Sequence, residues 1–349
     1  MKEDTVSLQD CKRKNHRNIM VLLAIAMIVV LFMLISIAVG MLNIPISRVV
    51  ECLFHKDSST EGIIIWEWRL PIAVGSVMVG MALGVAGTVM QCILKNPLGS
   101  PYTLGLSNAA ALGASIGILV TTGSINLGYD SPIVVTIFAF LFSMIATGFI
   151  IVMAKYTSIS PEAMVLAGVA LSSIFSAACS ALQYFASDSE LASIVYWTFG
   201  DVTKLSWTKL GIMFFTLVPC VAYFYYKRWD YNALDAGDMT AKCLGINIDR
   251  TRIMGLVLSS VVTSVAVSCD GVIGFVGLLG PHLVRRMIGS DHRFLIPGSM
   301  IVGALILLVS NFIGQNAFTF VMPVGIITSF LGGPLFLIIL LKSYRTKRC

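Results

Sequence analysis

Eight stretches of this sequence contain no Asp, Glu, Lys or Arg: Asn18–Ser47, Leu70–Leu94, Asn96–Tyr129, Ser131–Ala154, Ala163–Ser187, Leu210–Tyr226, Ile253–Cys269 and Phe294–Leu341. A helix crosses the hydrocarbon layer of a bilayer with about 20 apolar residues, and a charge at its centre costs about 2.5–3.5 kcal/mol on insertion scales. Most of these runs are long enough to cross once, and the last is long enough to cross twice. Composition agrees. Only 12% of the 349 residues are charged and 57% are hydrophobic, whereas a soluble domain covers itself with about 25% charged residues. The expected fold class is an all-α polytopic membrane protein.

Breaks at charges, prolines and glycines divide the runs into about ten transmembrane helices. They fall near 18–42, 70–93, 104–121, 131–154, 162–186, 207–226, 251–271, 273–288, 294–315 and 322–341. The first run follows the basic stretch "CKRKNHR". Its apolar part is too long for a signal-peptide core, so it is read as a retained span. With the N-terminus inside, 19 of the 24 Lys and Arg residues lie on the cytoplasmic side and five outside, a strong positive-inside bias. The expected organisation is a basic cytoplasmic tail (1–17), a transmembrane permease domain (18–342) and a cytoplasmic C-terminal tail (343–349). Both termini then face the cytoplasm. The net charge of +6 reports this topology, and no basic stripe with interleaved aromatics indicates nucleic acid. The eight cysteines are scattered without a C-x-x-C pair, so neither a disulfide framework nor a metal site is expected from spacing.

Three segments are too polar for simple connectors. "VGLLGPHLVRRMIGSDHR" (Val276–Arg293) places Gly280, Pro281 and His282 within the eighth span, with Arg285 and Arg286 near its inner end. The arginines alone can be explained as anchors at the lipid headgroups. "QCILKNPLGSPYTLGLSNAAALGAS" (Gln91–Ser115) holds Asn96-Pro97 and Ser100-Pro101, and a residue before proline is driven out of helical geometry. Irregular backbone at that depth must be buried in protein or line a watery cavity. The third segment is the loop 228–252, with Ala233, Leu234, Ala241 and Leu244 at helical spacing and Gly237 and Gly245 as breaks. It reads as one or two short amphipathic helices. It has too few Lys and Arg for a lipid-surface helix, so a docking surface for a soluble partner is the better reading.

Absences narrow the function. No phosphate-binding G-x-x-x-x-G-K-[ST], no H-E-x-x-H and no nucleophile elbow occurs. An ion-coupled secondary carrier usually holds carboxylates or histidines at mid-membrane, and the spans here have almost none. A membrane-embedded enzyme would need a nucleophile with its base, or a metal. What remains is a transport subunit that is not itself an enzyme, needs no cofactor of its own and is powered from elsewhere.

Taken together, the motifs resemble the FecCD-type permeases, the membrane subunits of ABC importers for iron–siderophores, haem and vitamin B12. The resemblance rests on "WRLPIAVGSVMVGMALGVAGTVMQCILKNPLGSPYTLGLSNAAALGA" (Trp68–Ala114), "VLAGVAL" (Val165–Leu171) and "YWTFGD" (Tyr196–Asp201). It continues in "NALDAGDMTAKCLGI" (Asn232–Ile246), "GVIGFVGLLGPHLVRRMIGSDHRFLIPGS" (Gly271–Ser299) and "MPVGIITSFLGGPLFLIILLK" (Met322–Lys342). It implies a type II ABC importer permease fold in a bacterial cell membrane. The implied partners are two separate ATPase subunits that use the ATP, an external substrate-binding protein, and a second permease, identical or related. The implied cargo is an iron(III)–siderophore complex, with haem or cobalamin as the alternative.

The resemblance also assigns roles. Gly237, Asp238, Ala241, Leu244 and Gly245, with Arg285 and Arg286, would couple to the ATPase. Asn96, Pro97, Gly280, Pro281 and His282 would break helices for gating. Gln91, Asn108, Ser172, Ser173, Ser176 and Gln183 are small polar candidates for the pathway, and each is equally explained by hydrogen bonding between helices. The loop Lys155–Ala163 is an inner-gate candidate from its position. Arg69 and Lys56 would meet the binding protein. The chain departs from the family where a second outer arginine is expected and Ile72 stands, and where Asn311 and Gln315 replace an Asp and an Arg. A heteromeric permease pair is one reading of those departures.

Overall fold

The computed structural model describes residues 8–40, 42–122, 131–156 and 160–346, and no described residue lies in a β-strand. The chain runs α1 (Leu8–Ala38), α2 (Ile46–Phe54), α3 (Thr60–Ile63), α4 (Leu70–Ile93), α5 (Leu106–Thr122), α6 (Ser131–Tyr156), α7 (Pro161–Phe185) and α8 (Asp188–Thr198). It continues through α9 (Trp207–Tyr226), α10 (Arg228–Asp235), α11 (Asp238–Cys243), α12 (Ile248–Asp270), α13 (Val276–Ile288), α14 (His292–Asn316) and α15 (Val324–Thr346). The ten expected spans are α1, α4, α5, α6, α7, α9, α12, α13, α14 and α15. Seven described helices are long and apolar enough to cross a bilayer, and α5 and α15 supply shorter apolar helices. At 13 residues, α13 is about 20 Å long, shorter than the hydrocarbon layer of a bilayer.

Boundaries differ from expectation where backbone geometry intervenes. The eighth span begins its helix at Val276 because Phe275 takes a left-handed φ of 65°. The second span is preceded by α3 and a π-helical turn, Ile64–Arg69, so helix continues N-terminally past Arg69. The inner-gate candidate Lys155–Ala163 includes residues 157–159, which lie outside the described residues. So do residues 1–7 and 347–349 of the tails.

The core is built around α4, whose residues are almost all buried. Small residues allow this. A Cβ added at Gly80 would lie 2.4 Å from the Gly303 carbonyl oxygen, and one at Gly84 would lie 2.1 Å from that of Ser299. The backbones of α4 and α14 therefore touch, the close approach that small residues four apart permit within a membrane. The outer faces of α1, α6, α7 and α9 carry Leu23, Ile137, Ile174 and Phe215, all exposed in the isolated chain. Lipid or a second subunit must cover them.

At the N-terminal end of α4, α2, α3 and the π turn form a small cap. Arg48 gathers it by donating to Glu61 Oε2 at 2.9 Å and Ser59 Oγ at 3.1 Å, and by pairing with Glu51 at 3.0 Å and with Asp57. Hydrogen bonds from Ser59 hold the Asp57 carboxyl below its usual range, against a smaller opposing effect of burial, with help from Arg48.

Candidate coupling face and translocation pathway

The loop 228–252 folds into two short helices at a sharp angle of the chain. α10 ends at Asp235 with Ala236 as its cap, and Gly237 follows with φ of 115°, a conformation only glycine adopts without strain. α11 then runs six residues before Gly245, with φ of 76°, ends it. A Cβ at either glycine would meet nothing within 4 Å, so these glycines serve the turn and not packing. Ala241 is fully buried, whereas Met239 and Leu244 are 75% and 66% exposed. Met239 of α11 and the capping Leu244 thus present two apolar side chains beside the exposed Thr240 and Lys242.

This unit is pinned to three spans. Asp238 accepts from Arg252 Nη2 of α12 at 2.9 and 3.0 Å, and its Oδ1 lies 2.9 Å from Lys95 Nζ. Burial alone would raise the Asp238 carboxyl, but the Lys95 hydrogen bond and the charge of Arg252 outweigh it and hold the group below its ordinary value. Asn232 of α10 donates to Asp291 at 3.0 Å and accepts from the His292 backbone at 2.8 Å, at the start of α14. Asp235 meets His292 Nε2 at 3.0 Å, and the Cys92 thiol donates to the Tyr231 carbonyl at 3.5 Å.

Asn96 and Pro97 lie where α4 stops. Lys95 adopts a left-handed φ of 47°, and the amides of Lys95 and Asn96 reach back to the carbonyls of Cys92 and Gln91. This pair of bonds is a Schellman closure with lysine where glycine is usual. The same turn carries the Lys95 ammonium to Asp238. Asn96 Oδ1 then accepts from the Leu98 amide at 2.9 Å, turning the chain before α5.

In α13, Pro281 has no N–H to give the Gly277 carbonyl. That carbonyl faces α4 instead: a Cβ at Gly87 would lie 1.8 Å from it. The neighbouring Leu278 carbonyl is met by His282 Nδ1 at 2.9 Å and by Gln91 Nε2 at 3.5 Å. Gln91 Oε1 also accepts from Arg285. Gly280 and Pro281 are buried, Arg286 is exposed, and the His282 ring meets Phe336 edge-on at 5.7 Å between centroids.

The pathway candidates divide. Gln91, 3% exposed, lies between α4 and α13. Asn108 donates to Ser172, at 2.5 Å to Oγ, and joins α5 to α7. Gln183 is half-buried and its amide lies 3.8 Å from Cys179 Sγ. Ser173 and Ser176 are exposed along α7. They share that helix with exposed Leu166, Val169, Ile174 and Tyr184, a broad face that none of the described residues covers.

At the N-terminal end of α4, Arg69 donates to the carbonyls of Ile37 at 2.7 Å, Ala38 at 3.0 Å and Leu42 at 2.5 Å, where α1 ends. Lys56 pairs with Glu67 at 3.2 Å and sits over the Trp66 ring. Gln315 donates to Asn311 at 3.2 Å within α14, so two neutral amides occupy the positions where the resemblance implies an Asp and an Arg. The sequence reading missed Arg252 and Asn232 as anchors. An arginine just inside the start of an apolar span was the available signal for Arg252, which is 5% exposed.

The FecCD transport family matches residues 27–342. An ABC transporter permease protein of Methanocaldococcus jannaschii is 45% identical over 96% of this chain and 98% of its own. The hemin transport system permease of Yersinia pestis is 32% identical over 90% of this chain and 94% of its own. Other similar proteins are named for vitamin B12 import in Vibrio cholerae and molybdate import in Haemophilus influenzae. Among solved structures, an inward-facing transporter assigned to the metal-chelate type superposes with a TM-score of 0.81 at 28% identity, over 92% of this chain and 99% of that one. The ion-coupled carrier and the membrane enzyme have no support in this company. The chain belongs to the FecCD transport family of ABC importer permeases.

Proposed function

We propose that this chain is half of the membrane pathway of an importer that carries an iron(III)–siderophore complex into the cell. The carrying observation is α11: a six-residue helix framed by two positive-φ glycines, showing Met239 and Leu244 outward and pinned inward through Asp238 and Ala241. Such a helix seats in a groove of an ATPase subunit. Closure of an ATPase pair then moves α11 as a lever, and the ties to Arg252, Lys95 and His292 carry that motion to α12, α4 and α14. The uncovered face of α7 is where a second permease would sit, with the pathway between the two copies. A binding protein would deliver the chelate at the external cap, near Lys56 and Arg69.

Relatives named for hemin, vitamin B12 and molybdate set the rival cargoes. A large chelate needs a mildly polar passage with few fixed charges, and Ser173 and Ser176 among apolar neighbours supply that character. Labelled uptake in cells lacking this gene, complemented with it, tests the reading across ferric siderophores, haem, cobalamin and molybdate, with ATP depletion as control. Uptake of a ferric siderophore that stops on depletion is expected. Restoration of haem, cobalamin or molybdate uptake alone overturns the cargo assignment, and uptake indifferent to ATP overturns the mechanism.

A further inference from the structure

At the cytoplasmic end of the core, Cys92 of α4, Asp235 of α10 and His292 of α14 converge. One possible ligand atom from each lies within 4.8 Å of the others. His292 is fully buried and Cys92 is 2% exposed. The Asp235 side chain, 33% exposed, opens onto a cytoplasmic cavity of about 420 Å³ that Asn96, Gly237 and Arg285 also line. Two ligands are thus shielded and the third faces the route by which an ion arrives.

Thiolate, imidazole and carboxylate together are the donor set of zinc and its borderline-soft neighbours. We infer that Cys92, Asp235 and His292 form a binding site for a divalent transition-metal ion of the Zn²⁺ class, loaded from the cytoplasm. Ligand atoms around a four-coordinate zinc, with bonds of about 2.0–2.3 Å, stand about 3.3–3.8 Å apart. The 3.0 Å between His292 Nε2 and Asp235 Oδ2 and the 4.8 Å limit on the whole group bracket that spacing. A rotamer adjustment of the exposed Asp235 closes the set, and water or the nearby Tyr231 carbonyl completes it. On binding, the Cys92 thiol gives its proton to solvent, and nothing is oxidised or reduced. One thiolate and one carboxylate then neutralise the divalent ion. Arg285, held by Gln91, therefore borders a neutral centre and not a second cation.

Because the ligands come from three elements, a bound ion fixes α10 to the core. The further consequence, that it stiffens the mounting of α11, rests on the coupling role proposed above. The site itself does not. Sequence spacing gives no sign of it, since Asp235 and His292 stand 57 positions apart, Cys92 is farther still, and no two share a motif.

The test reads coordination in the isolated full-length chain, in detergent and freed of any histidine tag, so it is independent of cargo and of coupling. Co²⁺ is the probe. Thiolate-to-cobalt charge transfer in the near ultraviolet and the visible bands of four-coordinate cobalt are expected at one equivalent per chain, displaced by Zn²⁺. Cys92→Ser should abolish the charge-transfer band. Asp235→Asn, at a half-exposed position that leaves the fold intact by gel filtration, should weaken Co²⁺ binding about 10-fold or more. Cys243→Ser, at the exposed cysteine of α11, should change nothing. Absence of the band in the unmodified protein overturns the site. So does a band that survives Cys92→Ser or follows Cys243.

Discussion

Asp238 shows how much one carboxylate can hold. It closes the start of α11 and meets two cations, Arg252 and Lys95, that belong to other elements. Removing one partner of a buried pair costs about 3–5 kcal/mol. With Asp238 35% exposed, water screens part of this, and Asp238→Asn should cost about 1–2 kcal/mol, read as a lower melting temperature in detergent. The pH dependence has a definite sign. The folded carboxyl lies below its ordinary value of 3.8, so its contribution is complete above about pH 4 and is lost as pH falls through the lower folded value. Melting temperature should be flat in this respect at neutral pH and fall in the acid range. The part of that fall due to Asp238 should vanish in Asp238→Asn.

At the scale of elements, α11 and the α4–α14 contact make opposite predictions. Met239→Glu with Leu244→Glu alters two exposed side chains, so folding should persist while ATPase stimulation and uptake collapse. Normal uptake at normal expression would remove α11 from the coupling role. Gly84→Val instead pushes a side chain into the Ser299 backbone. Overpacking usually costs about 1–3 kcal/mol, and two touching backbones leave little room to yield, so folded yield should drop sharply. The order of the spans was legible, because hydropathy along the chain is a local property. The glycine breaks around α11 were legible for the same reason. The anchors were not: Asn232 to Asp291, Arg252 to Asp238 and Cys92 to Tyr231 join residues whose spacing obeys no helical or strand period. Nor does sequence show that Arg69 spends its donors on the carbonyls of α1, since carbonyl positions exist only once the chain is folded.

For the whole molecule, the uncovered face of α7 carries the prediction. Single cysteines at Ser173 or Ser176, in an otherwise functional protein, should cross-link two copies through a short bismaleimide if the importer is a homodimer. A product formed only with a co-expressed related permease would establish the heteromer. One more consequence follows from the burial of α4, and it concerns birth rather than work. α4 leaves the ribosome early, yet Gly80, Gly84 and Gly87 face Gly303, Ser299 and Gly277, which are synthesised near the end. Until α13 and α14 arrive, lipid must stand in for them along a surface of bare backbone. A chain stalled during synthesis of α12 would therefore display that furrow to the bilayer, giving the quality-control proteases of the membrane a mark that the finished protein conceals.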